Sequence, residues 1–412
     1  MNQRKIGTLP LCCMMIGSVL GSGIIILPPL ALDAAGPWAI VGWILTVLFG
    51  VAFAYLFAKI GTFYPGEGGA ASAVDKAFGS AAKRLATYTL SGAVLFGPVA
   101  VILTIVEYLP PAVRPDNPMG RAAIGAAIQI VCTGLLLSGL KNMSRFTLVL
   151  ATTATLLLLA GSGMVLFTHV GPIAPLPEFN GSGFGYTMLL LFWAVVGWEV
   201  VGNFGDEVVD PRRTVPRAAV VAAIVIGVVS LAVAGALQYG QLPPEAGHGV
   251  STLLYPLFGA FAPWVMCVLT VALCTTTYLV IVGAVARLLA HLSRESGLPD
   301  VLDCRNKHNV PWVGVVFYTV IHLCQFGLVG LDALDLAGLV ALADGFFLAN
   351  ALLGTLAAVR LFVTPLPRIV AVLLSLGVFA VLTQAHWPVL MILSGMLLFV
   401  VYRARTRVLQ AG

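Results

Sequence analysis

The feature that most constrains this chain is a series of long apolar runs that follow one another from one end of the sequence to the other. About 20 apolar residues are what a helix needs to cross the hydrocarbon core of a bilayer. Only 9% of the 412 residues are charged, and the connections between runs are short, so no sizeable soluble domain is expected. The pattern predicts an all-α membrane protein with twelve transmembrane helices. Their centres lie near Val19, Leu48, Ala100, Ile130, Leu157, Ala194, Val228, Leu273, Val320, Leu348, Leu376 and Leu393.

The distribution of lysine and arginine predicts how these spans are oriented, because positively charged loops stay in the cytoplasm. If the N-terminus is inside, twelve alternating spans place the arginine-rich C-terminal tail inside as well. Of the 22 basic residues, only Arg114 and Arg121 then lie outside. We therefore expect both termini to be cytoplasmic. The net charge of +5 reflects this topology and does not indicate a nucleic-acid surface, since no basic run with interleaved aromatic residues occurs.

The first apolar run contains an unusual stretch from Gly17 to Pro29, which reads G-S-V-L-G-S-G-I-I-I-L-P-P. Each glycine costs about 1 kcal/mol in a helix relative to alanine, and Pro28 and Pro29 limit how far a regular helix can continue. In hydrocarbon an unpaired backbone group is costly, so a broken helix survives only where protein or a polar cavity meets the freed groups. The stretch is either a small-residue packing face between helices or a discontinuous helix whose free N–H groups hold an anionic ligand.

The sixth run has a similar defect. It reads L-F-W-A-V-V-G-W-E from Leu191 to Glu199, and Gly197, Gly202 and Gly205 loosen the helix there. A charged residue such as Glu199 is costly inside a membrane span and therefore indicates a functional site. Glycine-broken helices in the first and sixth spans are the pattern expected of two inverted five-helix repeats, with a ligand site between them at the middle of the membrane.

Later runs carry further polar residues. Asp344 follows Asp335 by about 14 Å along a helix, near the middle of the bilayer, where it is either neutral and hydrogen-bonded or paired with a cation. Thr276 and Thr277 either belong to a sodium site or bond back to their own helix. His322, alone on an apolar span, is expected to be a hydrogen-bonded core residue. None of the seven cysteines forms a C-x-x-C pair, so neither a metal ribbon nor a disulfide framework is indicated. Asp303 and His308 lack further ligands nearby, so we expect no metal site, and no cofactor is expected.

Four motifs carry a resemblance to a known family. They are G-S-G-I at Gly21–Ile24, Y-P-G-E-G-G at Tyr64–Gly69, W-A-V-V-G-W-E with D-P-R-R-T-V-P-R-A within Trp193–Ala218, and A-R-L-L-A-H-L-S-R-E-S-G-L-P at Ala286–Pro299. With these motifs in this order, the chain resembles transporters of the amino acid–polyamine–organocation superfamily, and within it the short bacterial exporters of methionine and branched-chain amino acids. The resemblance implies the leucine-transporter-like fold, with a first five-helix repeat in residues 1–170, an inverted second repeat in residues 171–362 and two peripheral helices in residues 363–412.

The resemblance also implies where the substrate binds. Gly21, Ser22 and Gly23 match the helix break that binds the substrate carboxylate, and oriented N–H groups at a helix terminus do attract an anion. Trp193 matches the aromatic gate of the sixth span, and Gly197 its unwound point, where carbonyl groups accept hydrogen bonds from the substrate ammonium. The expected substrate-binding residues are Gly21, Ser22, Gly23, Ile24, Trp193, Gly197, Tyr278 and Asp344.

Three of the matched residues have further expected roles. Tyr278 matches a residue that walls the site. Glu199 matches an acidic position that is tied to proton sensing in some relatives. Asp344 stands where relatives usually have a small or neutral polar residue, which leaves open a cationic group on the substrate or a proton carrier.

Together these features predict a secondary transporter that moves a small amino acid, or a close amine derivative, across the bacterial cytoplasmic membrane by alternating access. Proton-coupled export is the leading expectation, because the chain has exporter-like length and two buried carboxyl groups, Glu199 and Asp344. A proton- or sodium-coupled importer or exchanger of the same fold and a non-transporting ligand sensor are the alternatives, and a homodimer is left open. An enzyme is not expected, since no nucleophile–base pair or H-E-x-x-H motif occurs.

Overall fold

In the computed structural model the chain is almost entirely helical. The residues that the structure describes are 7–63, 69–139, 143–171, 176–198, 208–243, 248–294 and 298–411. Within these ranges, extended backbone pairs only at two isolated bridges, Val170 with Gly240 and Arg305 with Pro311. The α-helices of this part are α1 (Thr8–Leu20), α2 (Gly23–Ala35), α3 (Ala39–Phe63), α4 (Gly69–Phe78), α5 (Ser80–Glu107), α6 (Pro118–Leu137), α7 (Met143–Thr168), α8 (Gly181–Leu191), α9 (Pro211–Tyr239), α10 (Tyr255–Phe258), α11 (Ala262–Arg294), α12 (Trp312–Gly330), α13 (Leu336–Leu361), α14 (Pro365–Leu382) and α15 (Trp387–Ala411).

The apolar helices confirm a helical membrane protein. Each of the twelve predicted centres falls within a helical segment, and three shorter apolar segments lie at Thr152–Thr168, Gly181–Val195 and Trp387–Tyr402. The count of twelve spans and the inverted repeat stay predictions. Among the described residues, eight segments are long and apolar enough to cross a membrane, namely Gly23–Phe63, Ser80–Glu107, Pro118–Leu137, Arg212–Tyr239, Gly249–Arg294, Trp312–Gly330, Leu336–Leu361 and Pro365–Leu382.

Two helices, α5 and α13, form the centre of the molecule and pack along each other more extensively than any other pair in the described part. Every residue of α5 from Gly97 to Val106 is buried. At the opposite extreme, α14 and α15 lie at the edge and expose large apolar side chains such as Leu376 and Leu398, as lipid-facing helices do. Because these helices are buried inside the protein, a polar group on either of them is costly unless it has a hydrogen-bond partner or a ligand.

The two predicted interruptions of helices are confirmed. Helix α1 ends at Leu20 and α2 begins at Gly23, and between them Gly21 has φ +30°, a backbone conformation that suits glycine. After α8 the chain forms a short 3₁₀ turn, Phe192–Val195, and Gly197 has φ +118°. Residues 199–207 lie outside the described part of the chain, so the structure says nothing of Glu199, Gly202 or Gly205.

The prolines of α2 limit the helix less than we expected. α2 continues through Pro28 and Pro29 as far as Ala35. Because Pro29 has no N–H group, the carbonyl of Ile25 loses its helical partner. The Tyr108 hydroxyl donates to that carbonyl over 3.1 Å and accepts from the amide of Val250 over 3.2 Å. A side chain of a neighbouring segment thus replaces the missing hydrogen bond, and the helix survives.

The glycine-rich stretch after the second apolar run contains a helix. Helix α4 occupies Gly69–Phe78, whereas residues 64–68, which carry most of the Y-P-G-E-G-G motif, lie outside the described part. Glu107, at the end of α5, forms a salt bridge of 3.0 Å with Arg121 and keeps about a third of its side chain exposed. This salt bridge marks the end of the buried helix α5.

Candidate functional site

The amino end of α2 presents unpaired backbone groups inside the protein. The amides of Ile25 and Ile26 both donate to the carbonyl of Ser22, over 3.1 and 3.0 Å. Within the described part of the chain, the amides of Gly23 and Ile24 have no acceptor, as expected for the first turn of a helix. The Ser22 hydroxyl is fully buried and also has no partner there. Free N–H groups, a hydroxyl and the positive end of the helix dipole form a site suited to a carboxylate.

The indole ring of Trp193 covers this helix end. A Cβ atom on Gly23 would lie 3.2 Å from Cδ1 of Trp193, and one on Gly97 of α5 would lie 3.1 Å from Cη2 at the other end of the ring. The ring also makes an edge contact with Phe347 of α13, with 6.0 Å between the ring centroids. Two glycines without side chains therefore bracket the tryptophan, and larger residues at either position would displace it.

Asp344 of α13 is the third component. Its side chain is 0% exposed, and its carboxyl group lies beside the backbone amide of Trp193. Neither carboxyl oxygen has a hydrogen-bond partner among the described residues. A lone carboxylate buried in apolar surroundings is very costly, so the group requires either a proton or a nearby cation. An ammonium group of a substrate is one such cation.

The structure therefore brings together Ser22, Gly23 and Ile24 from the first break, Trp193 from the second and Asp344 from α13. Sequence reasoning missed two contributors, Gly97 and Phe347. The dipeptide Gly97-Pro98 in the middle of the third apolar run was an available signal, because both residues disturb a helix. No comparable signal distinguished Phe347 from the other aromatic residues of the apolar runs.

Two predicted site residues lie at the limits of what the structure describes. Gly197 has the open backbone conformation expected of an unwound point, next to the buried side chain of Trp198. Glu199 lies outside the described residues. Their proposed contacts to substrate and proton stay predictions.

Tyr278 belongs to a separate polar cluster. Its hydroxyl accepts a hydrogen bond of 2.6 Å from the Gln129 side chain and lies 3.2 Å from the Thr133 hydroxyl. Its ring makes an edge contact with His322 of α12. The contacts given for Tyr278 thus join α11 to α6 and α12, and its role as a wall of the substrate site stays a prediction.

Thr276 and Thr277 of α11 have partners within their own helix. The hydroxyls of Thr276 and Thr277 donate to the carbonyls of Ala272 and Leu273 on their own helix, over 2.8 and 3.0 Å. This bonding is the alternative to a sodium site that the sequence left open. Within the described ranges no group of three or more His, Cys, Asp or Glu residues is placed to hold a metal ion.

Comparison with known proteins identifies a family and several similar transporters. The family model described as amino acid permease matches residues 6–404. The L-methionine/branched-chain amino acid exporter YjeH of Escherichia coli strain K12 is 24% identical over 367 residues, which cover 84% of this chain and 83% of the relative. The putrescine transporter PotE of the same strain is 25% identical over 337 residues (78% and 75% coverage), and its cadaverine/lysine antiporter is 26% identical over 337 residues (77% and 73%).

Proposed function

The chain belongs to the amino acid permease family, and on that premise we propose that it is a secondary active transporter for a small amino acid or a close amine derivative. The family and the similar proteins are membrane transporters, so the chain is a multi-pass membrane protein and not an enzyme. The proposal extends to its substrate, its coupling ion and the direction of transport.

The observation that carries the proposal is the unpartnered carboxyl group of Asp344 beside Trp193, whose indole ring also covers the free amides of α2. The substrate carboxylate would bind the amides of Gly23 and Ile24 and the hydroxyl of Ser22. Its ammonium group would bind Asp344 and backbone carbonyl groups of the second break. An anion-binding helix end and a buried carboxyl group, both against one aromatic ring, fit the two charged ends of an amino acid.

Trp193 would act as the gate of this site. A Cβ atom on Gly23 would lie 3.2 Å from its ring, so the ring packs directly on this helix end and would move to admit a substrate. We propose that the two halves, residues 1–170 and 171–362, form inverted repeats in twelve spans and rock about this site while residues 363–412 stay peripheral. Both termini would face the cytoplasm.

Proton-coupled export is the mode of transport that we favour. Its support is the presence of two carboxyl groups near the second break, Glu199 in the sequence and Asp344 in the structure, which can exchange a proton against the substrate. The similarity to an exporter and to antiporters is consistent with this direction. A homodimer is compatible with the proposal and is not required by it.

A second candidate is exchange of a cationic amino acid or diamine. One specific observation favours it: Asp344 is a second charged group in addition to the helix end, and it could bind the additional amine of such a substrate. The putrescine and cadaverine/lysine transporters among the similar proteins handle molecules of this class. In this case Asp344 would determine specificity instead of carrying the coupling proton.

A substrate panel tests these alternatives. Purified protein is titrated by thermal shift with L-leucine, L-methionine, L-lysine, putrescine and cadaverine, and every binder is then tested for counterflow in proteoliposomes. We expect at least one amino acid to bind and to exchange across the membrane. Binding of diamines alone would support the second candidate, binding without flux would indicate a sensor, and absence of binding by all five compounds would refute the proposed function.

A further inference from the structure

Helix α5 contains a proline in its buried middle, and the structure provides an external partner for the group that this proline frees. Pro98 has no N–H, so the carbonyl of Val94, four residues earlier, loses its helical hydrogen bond. The side chain of His322 donates from Nε2 to this carbonyl over 2.8 Å. One residue further along α5, the carbonyl of Leu95 accepts a hydrogen bond of 2.7 Å from Nε2 of Gln325. Both donors come from the same helix, α12.

The remaining contacts fix the state of His322. A carbonyl oxygen can only accept, so Nε2 carries the proton, and Nδ1 of the neutral ring accepts from the Gln129 amide over 3.1 Å. The other proton of that amide is directed to the Tyr278 hydroxyl. His322 is fully buried. Its ring is therefore held from both sides, by α5 and by α6, in one orientation.

The turn of α5 from Val94 to Pro98, here called the proline turn, binds His322 and Gln325 of α12 and also forms a wall of the proposed substrate site. Gly97 lies directly before Pro98 and within one helical turn of Val94, and it packs against the indole ring of Trp193. In the same turn, Phe96 stacks on Phe346 of α13, with 6.1 Å between the ring centroids. A shift of α5 at this turn would thus be transmitted directly to Trp193.

We propose that His322 and Gln325 are positioning residues for the substrate site: by donating to the carbonyls of Val94 and Leu95 they hold the proline turn of α5, and so hold Gly97 against Trp193. The placement of Trp193 in a substrate site rests on the proposed function. The two hydrogen bonds from His322 and Gln325 to α5, here called the clamp, rest on the geometry alone. The same arrangement occurs at Pro29, whose freed Ile25 carbonyl is met by Tyr108. A freed carbonyl at membrane depth demands such a partner.

Hydrogen–deuterium exchange of the full chain in nanodiscs tests this proposal without any ligand. We expect His322→Leu to speed exchange about tenfold in residues 92–99 and 189–198, as loss of one partner of a buried hydrogen bond predicts. Exchange in α14 should change less than about twofold, because no part of the clamp touches it. An equal rise in α14 would mean general destabilisation and would overturn the positioning role.

A second substitution makes the test specific. Pro98→Ala returns an N–H donor to the carbonyl of Val94, so His322→Leu in that background should speed exchange less than about twofold. The same tenfold effect in both backgrounds would overturn the clamp. If His322→Leu alone does not fold, the yield of monodisperse protein gives the same comparison: rescue by Pro98→Ala supports the proposal, and absence of rescue contradicts it.

Two further variants serve as controls. His322→Gln keeps a side-chain N–H donor and should restore exchange close to that of the parent. Thr319→Val removes a hydroxyl from the same cluster on α12, 2.9 Å from Thr133, but leaves both α5 carbonyls paired. It should leave residues 189–198 unaffected, and an effect there equal to that of His322→Leu would contradict the proposal. Since no ligand is used, failure of the substrate panel and failure of the clamp give separate results.

Discussion

At the scale of single residues, the candidate site combines positions without a side chain and a buried carboxyl group without a hydrogen-bond partner among the described residues. Gly23 and Gly97 lack the side chains that would displace Trp193, and Asp344 lacks a partner for its carboxyl group among the described residues. Buried polar groups in proteins are nearly always hydrogen-bonded, and exceptions require an explanation. A ligand that supplies both an anion for the helix end and a cation for Asp344 provides that explanation.

The first prediction concerns Gly23. Replacing Gly23 with Leu places a branched side chain where even a Cβ atom would lie 3.2 Å from Trp193, so we expect substrate binding to be abolished while the protein stays folded. Thermal-shift titration with the best ligand of the panel measures this. Gly50→Leu is a matched control, because no atom lies within 4 Å of its Cβ position. Retained affinity in Gly23→Leu would exclude the carboxylate site.

The second prediction concerns proton coupling. Asparagine at position 344, or glutamine at position 199, cannot carry a proton, so Asp344→Asn or Glu199→Gln should flatten the pH dependence of transport in proteoliposomes. The initial rate of counterflow across the pH range is the measurement. If both variants keep the pH profile of the parent, the coupling is assigned to the wrong residues.

The sequence allowed some of these residues to be predicted and not others. Gly21 and Gly197 could be predicted, because glycines crowded into an apolar run are a strong local signal and both have positive φ values in the structure. The contacts of Gly97 with Trp193 could not, since they depend on how α5 packs against the second break. The polar cluster around Tyr278 and His322 was missed for the same reason: Gln129, which bonds to both residues, lies more than a hundred residues before either of them in sequence.

At the scale of helices, Pro29 and Pro98 share one feature: each lies within a helix, and the carbonyl that it frees is paired by a neighbouring segment. Sequence alone indicated that Pro28 and Pro29 would limit α2, since the local rule is that proline ends a helix. The helix continues through both prolines, and Tyr108, at the end of α5, donates to the Ile25 carbonyl that Pro29 frees. Tertiary contacts therefore decide whether a membrane helix tolerates its prolines, and a local rule cannot anticipate them.

The third prediction concerns this contact. Tyr108→Phe leaves a buried carbonyl of Ile25 and a buried amide of Val250 without partners, so it should destabilise the protein by about 1–3 kcal/mol. The measurement is the midpoint temperature of unfolding, obtained by size-exclusion chromatography of purified protein after heating. Tyr402→Phe, at a position that is 67% exposed, should have no effect. Equal stability of Tyr108→Phe and the parent would show that the hydroxyl is dispensable.

At the scale of the whole molecule, apolar runs and basic loops predicted a helical membrane protein, and the helices agree with all twelve predicted centres. The number of spans is harder to predict than the fold class. Each half of a broken helix, such as α1 or α2, crosses only part of the membrane and is shorter than an unbroken span. The pairing of α5 with α13, far apart in sequence, could not be anticipated from periodicity, since both helices are apolar on all sides.

The fourth prediction tests the topology. With both termini inside, green fluorescent protein fused after Gly412 should fluoresce, and alkaline phosphatase fused at the same position should be inactive. The reverse pattern would place the C-terminus outside, which requires either an odd number of spans or an N-terminus outside. The second case would also reverse the assignment of the basic loops to the cytoplasm. Fusions after Pro115, in the connection that carries Arg114 and Arg121, should give the opposite result and serve as the control.

The central claim is that the break between α1 and α2, the ring of Trp193 and the carboxyl group of Asp344 form one substrate site. A density map of the purified protein, prepared with a saturating concentration of the tightest ligand of the panel, tests it most directly. We predict ligand density with its carboxylate at the amides of Gly23 and Ile24 and its amine at Asp344, and with Trp193 displaced from Gly23. Ligand bound elsewhere, with Trp193 still packed on Gly23 and Asp344 still without a partner, would contradict the claim.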